Sequence, residues 1–223
     1  VALSERGTMY CPGHVAYMEK IAVGAVAREV IDLTASVAQN LKQIAHAKHS
    51  SIDDLTVVVL DRPRHEKLIA EIRQAGARVK LIQDGDVAGA IMTAMPDTGV
   101  DVLMGTGGSP EAVVAAAALR CLGGEIQCRL WPRDDAERLQ ALADGLDLNR
   151  VMTIADLVSG NDVFFAATGI SDGEFLKGVR YYSHGAHTQS IVMRCNSGTI
   201  RIVEADHNFE KLQKITELYD HGQ

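Results

Sequence analysis

The 223-residue chain has no run of about 18 uninterrupted apolar residues, and its first residues lack the basic-then-apolar profile of an export signal. A spanning helix and secretion are therefore not expected, and the cytoplasm is the expected location. The four cysteines, Cys11, Cys121, Cys128 and Cys195, include no C-x-x-C pair, so buried reduced thiols are the default and disulfide staples are not required. Eight histidines give no H-x-x-x-H spacing. His46 and His49 read as surface residues, and His184 and His187 have no acidic partner implied by spacing, so zinc is not expected. A formal charge of −7 with scattered acidic residues leaves no basic stripe for a phosphodiester backbone, which excludes nucleic acid as a favoured partner. Internal repeats and low-complexity segments are absent as well.

What is present is an ordinary globular composition, 47% hydrophobic, sufficient to bury a core. Strand-like and helix-like patterns alternate. Val15 to Val23 reads as a strand, and a helix carrying Val37, Leu41 and Ile44 follows a cap at Asp32 or Thr34. The compact β-branched run from Thr56 to Leu60 reads as a strand buried on both faces. Pro63 suits a first helical turn, Leu68, Ile69 and Ile72 give its helix an apolar face, and Gly76 closes it. The cycle repeats with a strand from Arg78 to Ile82, a helix from Val87 to Met95 and a strand from Asp101 to Met104. Ser109 as N-cap and Pro110 as N1 then introduce an alanine-rich helix over Ala112 to Cys121 that is ended by Gly123-Gly124, and so many alanines imply tight packing on a sheet. Beyond it come a strand over Ile126 to Leu130, a charged helix over Asp134 to Ala143, a strand over Asp162 to Ala167, a β-rich tail over Val179 to Val203 and a helix after Asn208. The alternation predicts an α/β fold with a mostly parallel sheet and helices on both faces. Val1-Ala2-Leu3 reads as the second half of a strand, so the chain is expected to lack a preceding segment.

Three strand-to-helix junctions carry polar clusters: Asp61-Arg62-Pro63-Arg64-His65, Asp84-Gly85-Asp86, and Gly105-Thr106-Gly107-Gly108-Ser109-Pro110-Glu111. In an open α/β sheet such ends share one rim, where guanidinium groups and carboxylates converge on a ligand. Planar guanidinium groups on Arg62 and Arg64, held either side of a stiff Pro63, match phosphate oxygens, although a solvated basic loop is the commoner use of such residues. Asp84 and Asp86 suit sugar hydroxyls or a cation, but the same spacing also serves to cap a helix and brace a turn. Glu111 falls at the second or third helical position behind a glycine-rich turn, where an acidic side chain complements the helix dipole and could equally face a metal or phosphate. Tyr17 offers a ring and a hydroxyl for a sugar, while a buried strand tyrosine is commoner. The Ala166 to Gly173 junction reads as a tight glycine turn that could border the same edge.

Taken as strings, these segments resemble the class II fructose-1,6-bisphosphatase family (GlpX-type), including its bifunctional fructose-1,6-/sedoheptulose-1,7-bisphosphatase branch. The matching stretches are YMEKIAVG from Tyr17, DLTVVVLDRPRH from Asp54, LIQDGDVAGAI from Leu81, GVDVLMGTGGSPEAVVAAAALRCLGGE from Gly99, FFAATGISDGEFLKGVRY from Phe164 and SIVMRCNSGTIR from Ser190. The resemblance implies a layered carbohydrate-phosphatase fold whose amino-terminal part is absent, with residues 1–30 a remnant of a metal-binding domain and residues 31–223 a sugar-phosphate-binding domain. It implies Glu111 as a metal ligand for Mn2+ or Mg2+. It further implies that Tyr17, Arg62, Pro63, Arg64, Asp84, Gly85, Asp86 and Gly108 contact a sugar bisphosphate, and that the assembly is a dimer or tetramer. No catalytic base or nucleophile is assigned within the chain. Ala25 and Ala112 stand where the family usually has proline and glycine. Hydrolysis of the 1-phosphate is the expected activity of the complete protein, with this chain alone expected to be inactive or nearly so. The alternatives are a non-catalytic sugar-phosphate-binding module or truncated remnant and, from the glycine cluster alone, a nucleotide-binding enzyme, which lacks G-x-G-x-x-G spacing and a P-loop lysine.

Overall fold

A computed structural model describes residues 1–212. In chain order it contains β1 (Ala2–Leu3), β2 (Tyr17–Val23), α1 (Val37–Ala47), β3 (Thr56–Leu60), α2 (Glu66–Ala75), β4 (Arg78–Ile82), α3 (Asp86–Met92), β5 (Val102–Gly108), α4 (Ser109–Leu122), β6 (Glu125–Leu130), α5 (Asp135–Ala143), α6 (Ile154–Leu157), β7 (Phe164–Thr168), β8 (Arg180–Tyr182), β9 (Gly185–Arg194) and β10 (Thr199–Asn208). Residues 209–212 are helical, and the rest of the helix predicted after Asn208 lies outside the described residues. No helix among the described residues is long and apolar enough to cross a membrane.

The strands form two sheets. The first has the order β4-β3-β5-β2-β6, and the second the order β1-β7-β9-β10 with β8 also paired to β9. The expectation of a mostly parallel sheet needs correction. Only β3 with β4 and β3 with β5 pair in parallel; β2 runs antiparallel to both β5 and β6, and every pairing in the second sheet is antiparallel. An apolar run such as Tyr17–Val23 reports burial but not direction, which is why the sequence pattern misses the reversal. The reversal puts Tyr17, the first residue of β2, opposite Gly108, the last residue of β5.

Helices α1 and α2 cover one face of the first sheet, where Leu41, Ile44 and Ile72 pack with Val57, Val59 and Val102. Helices α3 and α4 cover the other, and α4 also meets the second sheet, so that Ala112, Ala116 and Leu119 share a core with Met18 and Val58 on one side and Phe165, Ile191 and Met193 on the other. Ala115, Ala116, Ala117 and Ala118 are all 2% exposed or less, the close approach a helix between two sheets requires. The result is a layered stack of helices, sheet, helices and sheet.

Local boundaries follow their caps. Ser36, not Asp32 or Thr34, caps α1 in a reciprocal box with Gln39, while the Asp32 carboxylate instead accepts from the backbone and hydroxyl of Thr34. Gly76 and Gly123 end α2 and α4 in the left-handed conformation, with φ of 99° and 73°. Gly108 rather than Ser109 occupies the N-cap of α4, because the Ser109 hydroxyl is turned inward to donate to the Val15 carbonyl at 2.9 Å. The short α6 was not expected from the sequence. His46 and His49 are exposed as predicted, but His187 does meet a carboxylate, Asp206 on the neighbouring strand, at 3.1 Å. All four cysteines are free; Cys121 and Cys128 are buried, whereas Cys11 is exposed and Cys195 half-buried, against the expectation that all would be interior. Burial pushes the Cys128 thiol up to about 12.

Candidate active site

The ends of β3, β4 and β5, the start of β2 and the end of β6 lie on one edge of the first sheet. Gly105-Thr106-Gly107-Gly108, expected to form a glycine-rich turn, is instead the last half of β5 and pairs residue by residue with Lys20, Glu19, Met18 and Tyr17. The glycines serve close approaches. A Cβ at Gly107 would overlap the Asp86 carboxylate, and one at Gly108 would overlap that of Glu111. Side chains alternate across a strand, so consecutive Gly107 and Gly108 open onto opposite faces of the sheet at its very end.

On the α1/α2 face stand Tyr17, Arg64 and Glu111. Pairing between β3 and β5 stops at Val58 and Leu103, which leaves the edge of Thr106 away from β2 without a strand partner. The side chains that follow β3 take its place: the Thr106 amide donates to His65 Nε2 at 2.8 Å, and the Thr106 carbonyl accepts from Arg64 Nε at 3.2 Å and Nη2 at 2.8 Å. His65 is 3% exposed, and its Nδ1 donates to the Leu60 carbonyl at 2.7 Å, which fixes the neutral tautomer. Burial holds the imidazole below its ordinary value, opposed in part by the bond to Leu60. Arg64 lies over the Tyr17 ring at 5.1 Å from its centroid, and Trp131 meets the same ring edge-on at 6.3 Å. The backbone amide of Trp131 donates to the Tyr17 carbonyl, which ties the end of β6 into the rim. A cavity of about 520 Å³ opens here, lined by Glu19, Arg64, His65, Lys67, Arg129 and Trp131. Glu19 and Arg129, opposite each other on β2 and β6, pair at 2.6 Å in its wall.

On the α3/α4 face stand Asp84, Gly85 and Asp86. Gly85 adopts φ 80° as the N-cap of α3, a conformation that favours glycine. Asp86 is the first residue of that helix and does not cap it; its Oδ2 pairs with Lys20 Nζ at 2.6 Å. Asp84 and Gly85 border a second cavity, about 640 Å³, that is also lined by residues 167–169 and 171–176, so most of the Ala166 to Gly173 junction shares this cavity with Asp84.

The structure thus gathers Tyr17, Arg64, Gly108 and Glu111 on one side of the strand end and Asp84, Gly85 and Asp86 on the other, with Gly107-Gly108 as the seam. Arg62 behaves differently from Arg64. Its guanidinium donates to the carbonyls of Asp61 and Gln83, bracing the ends of β3 and β4, and Pro63 opens the short 3-10 turn that leads into α2. Glu111 is exposed at the third position of α4. Its oxygen donors suit a hard divalent cation, but among the described residues no group of three or more His, Cys, Asp or Glu is placed to hold a metal ion. The sequence reasoning missed Lys20, His65, Thr106 and Trp131. Lys20 carried a readable signal, since it takes a core-facing position between buried Met18 and Ala22 in the alternation of β2.

The family model for bacterial fructose-1,6-bisphosphatase, glpX-encoded, matches residues 1–207. The chain is 42% identical over 215 residues to the fructose-1,6-bisphosphatase class 2 of Haemophilus influenzae, covering 91% of this chain and 65% of that protein. It is 42% identical to the D-fructose 1,6-bisphosphatase class 2/sedoheptulose 1,7-bisphosphatase of Trichodesmium erythraeum, covering 94% of this chain and 64% of the relative. The protein with the same name from Synechococcus elongatus is 39% identical, with 97% and 66% covered. The chain therefore spans about two thirds of the length of the curated relatives it matches. It belongs to the glpX-encoded family of bacterial fructose-1,6-bisphosphatases.

Proposed function

We propose that the complete protein is a metal-dependent phosphoric monoester hydrolase that removes the 1-phosphate of fructose-1,6-bisphosphate, and of sedoheptulose-1,7-bisphosphate in the bifunctional manner named for two of its relatives. The observation that carries this reading is the seam at Gly107-Gly108. There a guanidinium stacked on Tyr17, a pair of aspartates and the Glu111 carboxylate all lie within one rim, an arrangement suited to a ligand with both phosphates and hydroxyls. Arg64 spends two donors on Thr106 and keeps others for a phosphate oxygen of the distal end. Tyr17 presents a ring and a hydroxyl beside it, and Arg62 supports the rim by fixing two carbonyls. Asp84 and Asp86 accept from sugar hydroxyls, which orients the sugar relative to the seam.

Glu111 would hold Mg2+ or Mn2+, and such an ion when bound polarises a phosphoryl oxygen and acidifies a water. A hard cation usually takes several oxygen ligands, more than one from protein, so a rim that contributes Glu111 alone binds it weakly. The 223-residue chain by itself is accordingly expected to release little phosphate. Phosphate release from fructose-1,6-bisphosphate, followed in the complete protein with manganese or magnesium, tests the reading. Turnover lost on Glu111→Gln supports it, and wild-type turnover in that variant removes Glu111 from the mechanism. A clear rate from the 223-residue chain alone contradicts the division of labour.

The second reading is a sugar-phosphate-binding module without turnover, in which the arginine, tyrosine and aspartates of the rim serve binding alone. Binding of fructose-1,6-bisphosphate with no phosphate release by the complete protein would select it. The nucleotide-binding alternative loses its footing, because its glycine cluster is strand rather than a phosphate-cradling loop.

A further inference from the structure

Lys20 occupies the middle of β2 with its side chain 3% exposed, at a register position flanked by fully buried Met18 and Ala22. An ammonium is costly to place there unless it is paired. The residues opposite it on the neighbouring strands are Gly105 and Cys128, both small, and they leave room for the stem to run toward the strand end. There Nζ meets Asp86 Oδ2 at 2.6 Å. An ammonium has three donors, and among the described residues Asp86 is its one hydrogen-bond partner.

Space is kept open beside the pair. A Cβ at Gly107 would overlap the Asp86 carboxylate and lie 3.0 Å from Lys20 Nζ. A void of about 10 Å³ lined by Lys20, His65, Asp86 and Gly107 sits at the same place, room for a single oxygen atom. The chemistry of that spot is specific. A spare N–H donor and a free carboxylate oxygen side by side complement a hydroxyl, which accepts and donates at once. A phosphate is a poor match, since it is acceptor-rich and anionic and would face the Asp86 carboxylate.

We propose that Lys20, acting with Asp86, is a specificity-determining residue for the sugar: Nζ donates to, and Asp86 Oδ1 accepts from, one hydroxyl of the bound sugar bisphosphate. The inference rests on the sugar-bisphosphate reading above and adds Lys20 and Gly107 to its binding residues.

Calorimetric titration of the complete protein, without added metal so that turnover does not intervene, tests it with two probes, fructose-1,6-bisphosphate and inorganic phosphate. Lys20→Met is expected to weaken the sugar bisphosphate roughly tenfold or more, the size of one lost charge-assisted hydrogen bond, and to leave inorganic phosphate unchanged. The double variant Lys20→Met/Asp86→Asn, which keeps the shape and leaves no unpaired buried charge, should show the same split with a melting temperature near wild type. Gly107→Ala should reproduce it from the opposite strand. Equal weakening of both probes in the double variant assigns Lys20 a structural role and overturns the inference, as does unchanged binding of the sugar bisphosphate. A wild-type protein that binds no fructose-1,6-bisphosphate overturns the underlying reading instead.

Discussion

Lys20–Asp86 at the end of the first sheet and Lys177–Glu204 on the second are both ammonium–carboxylate pairs, at 2.6 and 3.1 Å, but their side chains are 3% and 13% exposed in one case and 55% and 49% in the other. The same chemistry therefore has different consequences. In the first pair desolvation makes each partner depend on the other, and the surrounding glycines are committed to the space it occupies. In the second, water and salt screen the attraction, and the strands beneath it are held by their own ladder. The rim of the mixed sheet concentrates charge where backbone and glycines leave room; the antiparallel sheet spreads charge over a surface.

The contrast is sharpest in stability. Lys20→Met should lower unfolding free energy by about 3 kcal/mol in chemical denaturation, because it leaves Asp86 charged and largely buried. A loss no larger than that of Lys177→Met would erase the distinction between the two sheets. Glycines divide in the same way. A Cβ at Gly124 would meet the backbone carbonyl of Val23, so Gly124→Ala should cost about 2 kcal/mol, whereas Gly108→Ala meets only the mobile end of Glu111 and should cost about 0.5 kcal/mol or less. Gly108→Ala should nevertheless depress metal-dependent turnover, and thermal melting run beside phosphate release separates these two effects.

His65 supplies a pH test. Its folded-state value lies below the unfolded one, so the unfolded chain takes up the proton first as pH falls, and stability should decline from about pH 6.5 downward until the folded imidazole also protonates. Denaturation midpoints of His65→Gln should lack that component of the decline. A wild-type profile in this variant would show that the Thr106 bracket is not the titrating element. The smallest effect belongs to the surface: Glu204→Gln should leave the denaturation midpoint close to that of the wild type.

Much of this architecture was legible from particular residues. Thr56–Leu60 and Arg78–Ile82 were placed without error, because compact apolar runs bounded by polar turns admit few other readings. The convergence of the DRPRH, DGD and GGSPE junctions on one edge followed from the alternation of strands and helices. Gly105 to Gly108 misled, since a glycine cluster signals a turn unless close neighbours from elsewhere in the chain, here Asp86 and Glu111, require strand glycines. The antiparallel course of β2 and the antiparallel second sheet were illegible, because period-two patterning is the same in either direction. Arg62 and Arg64 looked equivalent either side of Pro63 and separate only through what each can reach, carbonyls of neighbouring strand ends for one and the Tyr17 ring for the other.

The central claim is that both faces of the strand end serve one ligand. Its most direct test is calorimetric titration of fructose-1,6-bisphosphate into the complete protein carrying Glu111→Gln, which blocks turnover, compared with the same protein also carrying Arg64→Ala or Asp86→Asn. Each added substitution is predicted to weaken binding about tenfold, although Arg64 and Asp86 stand on opposite faces of the sheet. Affinity that falls with only one of them would assign the two faces to different ligands and contradict the account.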